Sequence, residues 1–307
     1  MTTQTKPRST QDAAAHVTAE IQLFLERGVL PWRAPWDETL AHALTPGLPL
    51  RANGEAYKGA NVLLLWTAQL ARGYAKRTWL TYRNAEALGA HVRKGEKATP
   101  VIYYGSATPR TDKPDRNDDE AKPYRFLKLF YVFNSEQCEN LPEGFSAEIA
   151  PTPIDPPAIV HWLTRAGAHI RIGGTSAHYS PSTDTIHLPP MAAFRSEEHA
   201  AATAAHEGIH WTGHQSRLDT LKCYFTDRAL KAREELRAEL GAAIVGAMTG
   251  LAPQHLEDHA AYLSDWLTLI RSDPRAFLSA AAKAQAAVDW LVQRAGHPAE
   301  STHQAIA

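Results

Sequence analysis

Apolar positions recur at helical spacing over residues 11–27, at Ala15, Ile21, Phe24 and Leu25, and the pattern stops before Gly28. A denser apolar run predicts a second helix over 60–72, ended by Gly73. Between them, Pro31-Trp32 and Pro35-Trp36 read as a turn-rich connector. The pattern then turns to β-branched and aromatic residues. Thr78 to Tyr82 predicts a strand, 83–88 a short helix ended by Gly89, and Thr99 to Tyr104 and Phe126 to Phe133 two more strands. The stretch from Ser106 to Pro123, crowded with Asp, Pro, Lys and Asn, reads as a mobile surface loop between those strands. The first half is thus expected to be a mixed α/β unit with a small sheet.

The second half opens with a predicted helix near 157–167, a short strand at His169 to Ile172, and a hairpin around Tyr179 to Asp184 that closes through Thr185 to Leu188. Long helical patterns follow over 195–213, 227–250, 256–271 and 274–295. A few strands followed by several helices predict an α+β fold. Pro142, Pro151, Pro153, Pro156 and Pro157 crowd the stretch between the halves. The expected division is therefore a first domain over 1–140, a stiff Pro-rich linker over 141–157, and a second domain over 158–307. No internal repeat is visible.

Composition narrows the class. A chain of 307 residues with 44% hydrophobic residues can bury two cores and is not disordered throughout. Two cysteines exclude a disulfide framework and point to a reducing compartment. The first residues lack the apolar run of a secretory signal, and stretches such as Val62 to Trp66 are too short to span a bilayer. A soluble cytoplasmic protein without a membrane partner is expected.

The formal net charge of -1 names no partner, but its distribution does. Between Arg51 and Tyr104 nine basic residues face three acidic ones, with seven aromatics interleaved. That is the composition of a surface that follows phosphates and stacks bases. Lys76, Arg77, Arg83, Arg93, Lys94 and Lys97 are the candidate backbone contacts, and Trp79 and Tyr82 the candidate stacking faces. Strand alternation turns only about half of such aromatics outward, so each is equally readable as a core residue.

The sharpest chemical signal is His206-Glu207-Gly208-Ile209-His210. It lies in an Ala-rich helical run with Ser196 as N-cap and Glu197 and Glu198 in the first turn. Histidines at i and i+4 share one helix face and can chelate one ion, while Glu207 on the same edge can take a proton from water as general base. Zinc is the expected cation, with manganese as the alternative. A third ligand is expected from the segment Arg233 to Glu239, best at Glu235, with Glu234 and Glu239 also available. Of Glu235 and Glu239, again i and i+4, one can ligate while the other accepts a hydrogen bond from a ligand imidazole. The plain alternative is a solvated face on which these glutamates pair with Arg233 and Arg237. His214 follows the expected helix end at Gly213, off the metzincin spacing, and reads as a capping or supporting residue.

Several stretches together resemble one family. They are Tyr57-Lys58-Gly59-Ala60-Asn61 through Trp66, Trp79-Leu80-Thr81-Tyr82, Gly89 through Lys97, and Tyr131 through Gln137. In the second half, His206 through His214, Ser216-Arg217-Leu218 and Arg233 through Glu239 continue the series. Their order resembles the ArdC-type antirestriction family of conjugative plasmids, over roughly residues 10–295. The resemblance implies an N-terminal domain that binds single-stranded DNA, a C-terminal zincin-like metallopeptidase domain, and protection of incoming plasmid DNA from host restriction. It places the family's metal ligands on His206 and His210 and its acidic ligand on Glu235. The metal motif leaves open a protein partner, a restriction enzyme or another substrate, that the sequence does not name. Cys223-Tyr224 and the acidic loop at 112–120 depart from the commoner pattern.

Overall fold

In the computed structural model, which describes residues 10–32, 47–107, 124–145, 151–222, 227–251 and 260–299, the first periodic run is helix α1 (Thr10–Glu26). Strand β1 (Leu50–Arg51) and helix α2 (Ala60–Arg72) follow. Strand β2 spans Thr78–Leu80 and stops two residues short of expectation. The reason is local: the Thr81 hydroxyl accepts the N–H of Asn84 and caps helix α3 (Tyr82–Ala87). Strand β3 (His91–Val92) pairs with β6 (Cys138–Glu139) as a separate two-stranded sheet. Strands β4 (Thr99–Ala107) and β5 (Tyr124–Asn134) form a long antiparallel ribbon, each longer than its sequence pattern. The main sheet runs β1-β2-β5-β4, which leaves β4 on its edge.

The second half matches its pattern closely. Helix α4 (Ala158–Ala166) leads into strand β7 (His169–Ile172), and β8 (His178–Ser180) and β9 (Thr185–Leu188) make the expected hairpin. The sheet order is β7-β9-β8, with β7 and β9 parallel. Helices α5 (Glu197–Thr212), α6 (Arg228–Thr249), α7 (Ala260–Ser272) and α8 (Pro274–Ala295) complete an α+β fold. Pro35-Trp36, most of the loop at 106–123, Cys223-Tyr224, and the first turn expected for α7 with His255 and His259 lie outside the described residues.

One core serves both halves. Ile21 and Leu25 of α1, Trp32, Leu63 and Leu65 of α2, and Val101 and Val132 of the ribbon pack in one cluster with Leu236 and Leu240 of α6, Trp266 of α7 and Phe277 of α8. A second cluster joins α4, β9, α5, the outer part of α6, and α8. The Pro-rich stretch is not all spacer: the Ile154 N–H donates to the Thr249 carbonyl at the end of α6 at 3.0 Å. The two halves therefore bury apolar surface against each other rather than swinging on a linker.

Candidate metal centre

Helix α5 begins as its sequence dictates, with the Ser196 hydroxyl accepting the His199 N–H at 3.1 Å. Two glycines let its neighbours come close. A Cβ on Gly208 would lie 2.5 Å from Leu163 of α4, and one on Gly241 of α6 would lie 2.7 Å from Ile209. Helix α5 is thus clasped between α4 and α6 at its histidines. Three alanines, Ala201, Ala204 and Ala205, keep the rest of its contact surface thin.

His206 and His210 turn their Nε2 atoms to one point, 3.1 Å apart, and the Glu235 Oε2 stands 3.5 and 3.6 Å from them. All three residues are buried. Among the described residues this is the one grouping of three ligand-type side chains. Ligand atoms about 2.0–2.2 Å from a tetrahedral cation stand about 3.3–3.6 Å from one another, and the observed separations of 3.1, 3.5 and 3.6 Å lie close to that spacing. Two imidazoles and a carboxylate are a donor set suited to a divalent transition ion. The residues present fit such a cation.

The support beneath His210 comes from Glu234. Its Oε1 accepts the His210 Nδ1–H at 3.0 Å, which leaves Nε2 facing the ligand point. Arg237, only 1% exposed, holds Glu234 with donations of 2.8 Å to Oε2 and 2.5 Å to Oε1. The same guanidinium donates to Thr212 Oγ1 at 3.1 Å and to the Ile209 carbonyl at 2.8 Å, tying α6 to α5. Burial alone would depress the His210 pKa, but Glu234 and Glu235 outweigh it and lift it to about 10. Burial would raise the Glu235 carboxyl, yet His206 and His210 hold it well below the usual carboxylate range. A proton and a cation therefore compete for the same ring of atoms.

Two expected roles move. The carboxylate on the ligand imidazole is Glu234, not Glu239: Glu239 is wholly buried and accepts the indole N–H of Trp32 at 2.8 Å. Spacing at i+4 put Glu239 on the right face of α6, but a turn too far along to reach His210. His214 lies outside the ligand group; its Nδ1 accepts the Ser216 N–H at 3.2 Å and folds the turn after α5. Glu207, adjacent to His206, is buried on the same helix, one residue and about 100° around from that ligand.

The candidate DNA contacts divide. Trp79, 1% exposed, and Arg77, 9% exposed, are core residues, because β2 sits between β1 and β5 and is covered on both sides. Arg77 donates to the Leu48 carbonyl at 3.2 Å. Lys76 is half-buried, its backbone N–H donating to Glu136 at 2.5 Å. Arg93 is exposed but pairs with Glu96 at 2.6 Å. Tyr82, Arg83, Lys94 and Lys97 are exposed. Sequence reasoning passed over Phe130 and Tyr131, which are exposed along with Tyr103 and Tyr104 on the β4–β5 ribbon. Their signal was present as an uninterrupted aromatic-rich strand carrying Lys128 and no acid.

A histidine pair from one helix, a glutamate from the next and a small three-stranded sheet define a zincin-like metallopeptidase domain, and a family model of that description matches residues 157–283. A second model, the N-terminal domain of anti-restriction factor ArdC, matches residues 11–133. The metal-free crystal structure of antirestriction protein ArdC from plasmid R388 superposes with a TM-score of 0.79 at 40% identity, covering 92% of this chain and 98% of that one. Its Mn(II)-bound form gives 0.75 at 39% identity, covering 92% and 97%. The uncharacterised protein y4eC of Sinorhizobium fredii is 35% identical over 303 residues, 95% of each chain. DNA primase TraC of Escherichia coli is 36% identical over 298 residues, 92% of this chain but 27% of TraC. The chain belongs to the ArdC antirestriction family. The zincin-like domain and the manganese-bound relative both point to a divalent metal at the centre.

Proposed function

We propose that this chain is an antirestriction protein that binds single-stranded DNA through its first half, protects incoming DNA from restriction in the cytoplasm, and carries a metal-dependent peptidase-like centre in its second half. The observation that carries this reading is the intact donor triangle of His206, His210 and Glu235 within a chain similar to ArdC along nearly its whole length.

In this reading His206, His210 and Glu235 hold zinc or manganese. A bound divalent ion supplies Lewis acidity toward a carbonyl and makes a bound water more acidic. Glu207 accepts the proton of the attacking water and returns it to the departing amine. Glu234, fixed by Arg237, keeps the His210 ring in its ligating tautomer. Burial of the three ligands excludes bulk water from their far side.

A second reading makes proteolysis of a restriction enzyme or another protein the protective act, with DNA binding used for localisation. The His206-Glu207-Gly208-Ile209-His210 run, with Glu207 next in sequence to a candidate ligand and buried on the same helix, favours it. The test is transfer of unmodified plasmid into a restricting host expressing the full chain, Glu207→Gln or His206→Ala. Protection that survives Glu207→Gln assigns the function to strand binding, and protection that vanishes with metal content unchanged assigns it to peptidase chemistry. A wild-type chain that neither protects nor binds single strands sinks both.

A further inference from the structure

We propose that the outward face of the β4–β5 ribbon, built from Tyr103, Phe126, Phe130 and Lys128, is the base-stacking surface for single-stranded DNA. This placement rests on the single-strand-binding reading above and says where on the molecule it occurs.

Register builds the face. Tyr103 pairs directly with Lys128, so Phe126 and Phe130 flank it diagonally on the same side of the ribbon. The Tyr103 ring lies 6.2 Å from Phe130 at 88° and 6.4 Å from Phe126 at 51°. Lys128 Nζ stands 5.1 Å from the Phe130 centroid. Tyr103 is 55% and Phe130 42% exposed. Tilted rings leave π-faces open to a third ring, and a cation sits among them for the adjoining phosphate. Gly105, opposite Phe126, has the room to allow this: a Cβ there would strike the Phe126 ring and come within 2.9 Å of Tyr103. The rings lean over bare backbone.

Charge and edge geometry select the occupant. Neither strand carries an acidic residue, while β5 carries Arg125 and Lys128. Strand β4 is a sheet edge, where a second copy or an extended peptide would add by backbone pairing. Asn61 of α2 occupies that edge at Ile102: its Nδ2 donates to the Ile102 carbonyl at 2.9 Å and its Oδ1 accepts the Ile102 N–H at 2.8 Å. Beside it lies an aromatic, cationic face.

The experiment measures binding of fluorescent oligothymidine to the full chain by anisotropy, at low and high salt. Tyr103→Leu and Phe130→Leu keep the apolar area but remove the π-face. Each is expected to weaken binding about tenfold at every salt concentration, with the salt slope unchanged. Tyr103→Trp is expected to restore or raise affinity. Lys128→Gln is expected to lower the salt slope by about 0.7. Melting temperatures of the leucine variants stay at the wild-type value, since both rings are exposed. If the wild type binds and the leucine variants bind equally well, the placement is overturned while the single-strand reading stands. If the leucine variants change only the sedimentation behaviour of the protein, the face is a contact between copies and the placement is likewise overturned. A wild type that binds no oligonucleotide overturns the reading itself.

Discussion

Trp32 donates its indole N–H to the Glu239 Oε1 across 2.8 Å, joining residues 207 positions apart. Glu239 lies one helical turn beyond the ligand Glu235, and Trp32 is wedged between Trp266 and Phe277. The first half thus satisfies a carboxylate inside the helix that supplies the metal centre. Trp32→Phe removes that donor from a fully buried carboxyl group and leaves a small void. A loss of about 3 kcal/mol is expected. Denaturant unfolding followed by circular dichroism and by tryptophan fluorescence checks it. The two probes should shift together; separate transitions for the halves would contradict the shared core.

Glu234 and Glu239 are both buried on α6; Glu234 accepts from the His210 ring, while Glu239 accepts from Trp32. Glu234→Gln is expected to weaken zinc or manganese binding about 10–100-fold. It also leaves buried Arg237 without its counter-charge, so stability falls by roughly 3 kcal/mol. Glu239→Gln leaves metal affinity within a few-fold of wild type. Calorimetric titration of each variant, with melting curves alongside, separates the two.

The convergence of His206, His210 and Glu235 was readable from sequence because the pattern is periodic: His206 and His210 recur at helical spacing, and Glu235 leads an apolar helix that packs against theirs. Choosing between Glu234 and Glu239 was not, because it depends on where Trp32 lands, a contact 207 residues away in sequence. The same holds for Trp79. Alternation within three residues cannot show that β2 is covered on both faces, which the burial of all three of its residues reveals. Strands β3 and β6, two residues each, carry no period at all.

Arg217 ties the turn after α5 to the β8–β9 hairpin, donating to Asp184 Oδ2 at 2.9 Å and to the Trp211 carbonyl at 2.7 Å. Burial raises the Asp184 carboxyl, but hydrogen bonds from Arg217 and Tyr179 and the guanidinium charge outweigh it, and its pKa is lowered. A lowered folded-state pKa means the pair stabilises above the ordinary aspartate value of about 4 and is lost as pH falls below it. With Asp184 41% exposed, the effect is at most about 1 kcal/mol. Asp184→Asn should melt earlier than wild type at neutral pH, and the gap should close in acid.

Gly208 and Gly241 set how closely α5 is held. Gly208→Ala drives a methyl group onto Leu163, 2.5 Å away, and is expected to cost about 2 kcal/mol and to lower metal affinity by displacing His206 and His210. Adding Leu163→Ala makes room and should recover metal affinity though not stability. Thermal unfolding and metal titration of the single and double variants provide the check.

Because α1, Trp32 and α2 complete the interior that α6, α7 and α8 leave open, the shared core of this polypeptide favours moving the two halves together. Its similarity to TraC is of that kind: 298 consecutive residues, both halves together, embedded in a far longer primase. Recombination that cut between the halves would strand two unfinished interiors. Grafting the whole onto another enzyme costs nothing inside it.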